Sequence, residues 1–129
     1  MTVTENNETV WTSPPSWKIH DFSLDDATRD EKVDINISAW RDSNYGSSQP
    51  FWETENDTTQ RDHFFVMKYT DNTVKAVWQS SNLESLNQEF ILADVDGDTK
   101  KELIVIENDY SESRLCHNNY VAVWKWNEW

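Results

Sequence analysis

Apolar residues in this chain recur at every second position in short runs, and no window keeps a helical period of 3.6. Trp17–Phe22, Val33–Trp40, His63–Tyr69 and Thr73–Trp78 read as four successive strands. Phe90–Ala93, Glu102–Ile106 and Tyr120–Trp126 read as three more, and Glu8–Trp11 as an isolated earlier one. The runs are rich in β-branched and aromatic residues and are separated by Asn, Asp, Ser and Pro clusters. Leu83–Leu86 offers at most one helical turn. The pattern predicts a single all-β domain over residues 1–129, with two four-stranded antiparallel repeats. Residues 1–8 are polar and read as a flexible tail. About 9–78 form the first repeat with a preceding closing strand, and about 79–129 the second. The second repeat runs out of chain before its fourth strand, so Glu8–Trp11 is expected to complete it by pairing beside Asn119–Trp126.

The repeat carries chemistry. Asp94-Val-Asp96-Gly-Asp98-Thr-Lys100-Lys-Glu102 places carboxylates at positions 1, 3, 5 and 9 of a nine-residue loop that runs into Leu103-Ile-Val-Ile106. Carboxylates so spaced repel one another unless a cation joins them, and an all-oxygen set suits a hard divalent ion, Ca²⁺ above all. The Lys100 carbonyl, at position 7, would complete the cage. Asp26-Ala-Thr28-Arg-Asp30-Glu-Lys32-Val-Asp34 repeats the frame 68 residues earlier, with Thr28 in place of one carboxylate and the Lys32 carbonyl at position 7. Val10-Trp11-Thr12-Ser13 matches Val77-Trp78-Gln79-Ser80 at nearly the same offset. Repeats of this length mark arrays of supersecondary units.

On these residues the segment Phe90–Ile106, and Asp94–Glu102 most closely, resembles the FG-GAP or VCBS type repeat of integrin-like β-propellers. The resemblance implies an Asp-x-Asp-x-Asp-Gly-x-x-Asp loop between the first two strands of each blade, holding Ca²⁺. It covers about 120 of the 129 residues when both copies are counted. Position 6, usually Gly, is Glu31 in one loop and Thr99 in the other, and the lone loop glycine, Gly97, stands at position 4. Position 6 favours a left-handed backbone, which glycine adopts without steric cost. With Thr28 in place of a carboxylate and Glu31 where glycine would relax the turn, the first loop is expected to bind more weakly.

Charge narrows the partners. A formal net charge of −13 argues against nucleic acid and against an anionic membrane surface. The single cysteine, Cys116, provides no disulfide framework, and no apolar run is long enough to span a bilayer. An extracellular or periplasmic setting is expected, with a cytoplasmic one also open, and a protein or glycan is the expected ligand. The chain is expected to assemble into a homo-oligomer or to be an excised part of a longer propeller, because two repeats do not close a ring.

Eight tryptophans supply apolar area. Trp11, Trp40, Trp78 and Trp124 fall inside strand patterns and are assigned to packing. Trp17, Trp52, Trp126 and Trp129 lie near strand ends or loops, where core packing is the commoner role; Trp52, Trp126 and Trp129 are the candidates for a sugar-stacking platform. That platform belongs to the alternative reading, an accessory module of a secreted glycan-active enzyme.

Catalytic signals are weak. An EF-hand needs a bidentate Glu at position 12, which here is Ile37 or Val105. Cys116-His117 are neighbours without an oxyanion element, and His20, His63 and His117 lack zinc-type spacing. Asp21, Asp25 and Asp26 could form an acid pair for glycoside cleavage, but any acidic chain offers such pairs. No enzymatic activity is expected.

Overall fold

A computed structural model of the protein describes residues 1–42, 59–109 and 119–126. Among these residues it is all-β and contains no helix. The strands are β1 (Thr2–Glu5), β2 (Glu8–Thr12), β3 (Lys18–Asp25), β4 (Asp34–Asp42), β5 (Gln60–Thr70), β6 (Thr73–Gln79), β7 (Leu86–Ala93), β8 (Glu102–Asn108) and β9 (Tyr120–Trp124). They form an N-terminal hairpin β1-β2, a first sheet in the order β3-β4-β5-β6 and a second sheet in the order β7-β8-β9, all antiparallel. Each sheet is a meander, as expected of a blade. Leu83–Leu86 contributes no helical turn, and Leu86 opens β7.

Alternation along β5 shows how the layers are held. Phe64 and Val66 pack with Ala27, Phe90, Leu103 and Val105 between the two sheets, joined by Trp78, Trp124 and Trp126. Phe65 and Met67 point to the opposite face and pack with Ile35, Ile37, Ala39 and Val74. That second face is covered by Val3, Val10 and Trp11 of the hairpin, together with Trp17 and Ile19. The order of layers is hairpin, first sheet, second sheet.

The hairpin corrects two expectations. Residues 1–8 are not a tail, because Thr2–Glu5 pairs with Glu8–Thr12. Nor does Glu8–Trp11 complete the second sheet of its own chain, whose described strands end with β9; it pairs with β1 instead. The cause is local. Asn6 and Asn7 both take left-handed backbone, φ 50° and 68°, the signature of a tight hairpin turn that returns β1 onto β2.

That hairpin matches the β5-β6 half of the first sheet. Its turn matches Asp71-Asn72 between β5 and β6, with φ 52° and 58°. Register slips by one residue after Val3 opposite Trp11, and likewise after Val66 opposite Trp78. Ser13 N donates to the Met1 carbonyl at 2.9 Å, and Ser80 N to the Phe64 carbonyl at 2.9 Å. Ser13 Oγ accepts from the Met1 amine at 2.9 Å, and Ser80 Oγ from Phe64 N at 3.0 Å. Residues 1–13 thus repeat 64–80, with a hairpin two residues shorter on each arm.

Candidate metal centre

Both acidic loops join the first and second strands of their sheets, β3 to β4 and β7 to β8. The two loops share one backbone path. Positions 4 and 6 are left-handed in each, as Arg29 (φ 61°) and Glu31 (φ 64°) and as Gly97 (φ 79°) and Thr99 (φ 71°). Residues other than glycine seldom hold this conformation, so three of them and one glycine in matched places argue for a common loop design.

Hydrogen bonds supply the constraint. At position 1, Asp26 accepts from Glu31 N at 2.8 Å and Asp94 from Thr99 N at 2.9 Å. At position 5, Asp30 accepts from Lys32 N at 3.2 Å and Asp98 from Lys100 N at 2.8 Å. At position 9, Asp34 accepts from Ala27 N at 3.0 Å and Glu102 from Val95 N at 3.1 Å. Three equivalent bonds in each copy fold the carboxylates inward.

In the second loop Asp94, Asp96 and Glu102 form a group able to hold a metal ion, each offering a carboxylate oxygen within 4.8 Å of the others. Asp94 and Asp96 are exposed and Glu102 is buried, so the group opens to solvent above a buried base. Asp98 stands outside this triad.

The first loop brings Asp26, Thr28, Asp30 and Asp34 onto the same frame, with Thr28 Oγ1 donating to Asp30 at 3.4 Å. Asp34 is fully buried. Its Oδ2 accepts from Ala27 N and from Thr28 N at 2.8 Å, whereas its Oδ1 is buried with no hydrogen-bond partner. An ionised oxygen left so is costly unless a cation reaches it. Asp26, Asp30 and Asp34 do not draw together into a metal-holding group as the second loop's triad does, so what the first loop shares with it is the backbone frame, the all-oxygen chemistry and one buried, unpartnered carboxylate oxygen.

Lysines on, or directly after, the third strands enter both loops. Lys68 Nζ lies 2.7 Å from Asp30, and Lys125 pairs with Asp96. The Lys68 ammonium holds Asp30 below the usual carboxylate range, and Lys125 does the same for Asp96. Neither lysine was singled out from sequence. The signal was present, because Met67-Lys68-Tyr69 and Trp124-Lys125-Trp126 occupy the same place in the repeat.

The other candidates disperse. Trp126 packs edge-on to Trp78 at 5.1 Å and against Phe64, inside the core between the sheets. Trp52 and Trp129, with Cys116 and His117, lie outside the described residues. Asp25 pairs with Lys101 at 2.6 Å, Asp21 accepts from Phe90 N at 2.9 Å, and Asp26 serves its own loop. His20 Nε2 meets Asp62 at 3.0 Å. These carboxylates are committed to holding the fold.

Comparisons with protein-family models, with curated proteins and with solved structures returned no match. Among the described residues no helix is long and apolar enough to cross a membrane.

Proposed function

We propose that the chain is a calcium-binding repeat module of the β-propeller type, with a structural or adhesive role and no catalysis. The observation that carries this reading is the convergence of Asp94, Asp96 and Glu102 on a loop whose backbone is duplicated between β3 and β4. In this reading Asp94, Asp96 and Glu102 hold the ion, with Asp98 and the Lys100 carbonyl completing the set. Asp26, Thr28, Asp30, Asp34 and the Lys32 carbonyl form the second, weaker site. Bound calcium would offset the repulsion among the carboxylates and pin the turn between the first two strands of each sheet, the staple that disulfides supply in other small domains. The exposed surface would then present a rigid face to a protein or glycan. An extracellular or periplasmic setting suits such a site, since modules that work there bind calcium at about 10⁻⁴ to 10⁻³ M.

Calorimetric titration of the intact protein with Ca²⁺, paired with melting curves in Ca²⁺ and in EDTA, tests the proposal. Heat of binding at millimolar calcium and a higher melting temperature in calcium are expected, with Mg²⁺ giving a smaller effect because it demands stricter octahedral geometry. Absence of binding heat at millimolar calcium overturns it.

A further inference from the structure

Ile35 of β4 lies opposite Met67 of β5, and Leu103 of β8 lies opposite Trp124 of β9. Lys68 directly follows Met67, and Lys125 directly follows Trp124 at the end of β9, while Ile35 and Leu103 directly follow the ninth residue of each loop. The same sheet position therefore delivers an ammonium group into each acidic loop. Lys68 reaches Asp30 at position 5, and Lys125 reaches Asp96 at position 3. Each feels the rest of its loop as well. Asp30 foremost, then Asp34 and Asp26, raise Lys68 above the ordinary lysine value; Asp96 foremost, then Glu102 and Asp98, raise Lys125.

An ordinary surface ion pair explains this arrangement poorly. Exposed pairs contribute little to stability, and nothing in such a pair requires the same strand position in two loops. The first loop adds a separate observation. Asp34 Oδ1 is buried without a partner although Lys68 stands in the next strand, so the ammonium satisfies the rim of the loop and leaves its base unmet. In the second loop Lys125 draws on Asp96, one of the three carboxylates able to hold an ion. An Asp96 oxygen that accepts from an ammonium is less available to a metal.

We propose that Lys68 and Lys125 are resident counter-ions of the two loops, which a divalent cation must displace, so that they set how much calcium the loops require. The inference rests on the calcium reading above. The exchange needs no backbone movement, because each lysine has a long flexible stem and can turn its charged end to water. The lysine keeps its proton throughout: one cation leaves the carboxylates and another arrives. Without metal the loop stays folded on its lysine and its internal hydrogen bonds. With metal it tightens onto the buried base. Such a competitor holds affinity in the range where only calcium-rich surroundings load the site.

Calcium titration calorimetry on the intact chain and on its Lys125→Met, Lys68→Met and Lys125→Arg variants tests this. Removing a competing charge of this kind should tighten binding about three- to fivefold in each Met variant, the first acting on the Asp94–Glu102 site and the second on the Asp26–Asp34 site. Lys125→Arg, which keeps the charge, should stay within about twofold of the unaltered protein. Equal affinity in the unaltered chain and both Met variants overturns the counter-ion role while leaving calcium binding intact. No binding heat in any of the four proteins overturns the calcium reading itself, and this inference with it.

Discussion

Asp62 in β5 accepts a hydrogen bond from the backbone N–H of Asn87 in β7 at 2.7 Å, so a fully buried carboxylate of the first sheet caps the edge strand of the second. The same carboxylate meets His20 Nε2 at 3.0 Å and accepts from Ser38 Oγ at 3.3 Å. Asp21 repeats the device from β3, accepting from Phe90 N. β7 is an edge strand, and an edge with open N–H groups invites pairing with another chain. Two carboxylates occupy those groups here and join the sheets side by side, β3 against β7.

Replacing Asp62 should therefore cost far more than a surface acid. Asp62→Ala leaves Asn87 N–H, Ser38 and His20 facing a void, and the expected loss is about 3 kcal/mol in chemical denaturation. Asp62→Asn keeps one acceptor oxygen and should lose less. Equal stability of Asp62→Ala and the unaltered protein would show that the sheets are held by their apolar contacts alone.

Relief of loop strain gives a change of opposite sign. Thr99 is β-branched and sits at φ 71°, a conformation that costs such a residue about 1 kcal/mol or more. Thr99→Gly should raise stability by about 1 kcal/mol, less what the more flexible glycine costs through the unfolded chain. A destabilised Thr99→Gly protein would mean that the threonine side chain makes a contact worth more than the strain.

The strands were legible because alternation and turn chemistry agree along the chain. β3 to β9 lie where the apolar runs placed them, and the two loops fall between the strands assigned to them. The carboxylate spacing marked Asp94, Asp96 and Glu102, and the triad forms. Thr2–Glu5 escaped because Thr2, Thr4 and Glu5 are polar and only Val3 buries area; its pairing depends on the Asn6-Asn7 turn. Arg29 escaped because an arginine gives no hint of left-handed backbone, which the loop's own hydrogen bonds impose. Asp62 and the two lysines act across strands, and such pairings follow from register, which one sequence read along its length does not display.

Acid should weaken the fold through His63. Burial foremost, helped by the Arg41 charge, pushes His63 below the ordinary histidine value, against the opposing effects of the Ser80 carbonyl and Asp62. The unfolded chain takes up the proton near pH 6.5 and the folded chain only at lower pH. Stability should therefore be unaffected by His63 above about pH 7 and fall as pH drops through about 6.5, until the folded-state value is reached. His63→Gln should flatten this part of the profile relative to the unaltered protein, whatever it does to the overall level. Stability curves at pH 5 to 7 with the same slope in both proteins would remove His63 as the cause.

The N-terminal hairpin should behave as a cover for the first sheet, since it pairs with itself and contributes Val3, Val10 and Trp11 to one face of that sheet. Tyr69 also donates to Glu5, tying the hairpin to β5. Deleting residues 1–12 would uncover Ile35, Ile37, Phe65, Met67 and Val74, an apolar face of the kind that drives association when exposed. The truncated protein should melt at lower temperature, bind a hydrophobic dye and aggregate with increasing concentration. Trp11→Ala probes the same contact more gently. Trp11 is only half-buried, so the expected loss is about 2 kcal/mol, below the range for a fully buried tryptophan. Trp78 holds the equivalent place in β6 but packs between the two sheets, against Phe64 and Trp126. Trp78→Ala should consequently cost more than Trp11→Ala, and by the same logic should weaken the contact between sheets rather than expose the hairpin-covered face. If the truncation leaves both melting temperature and dye binding unchanged, the face is stable uncovered and the hairpin is not a structural layer.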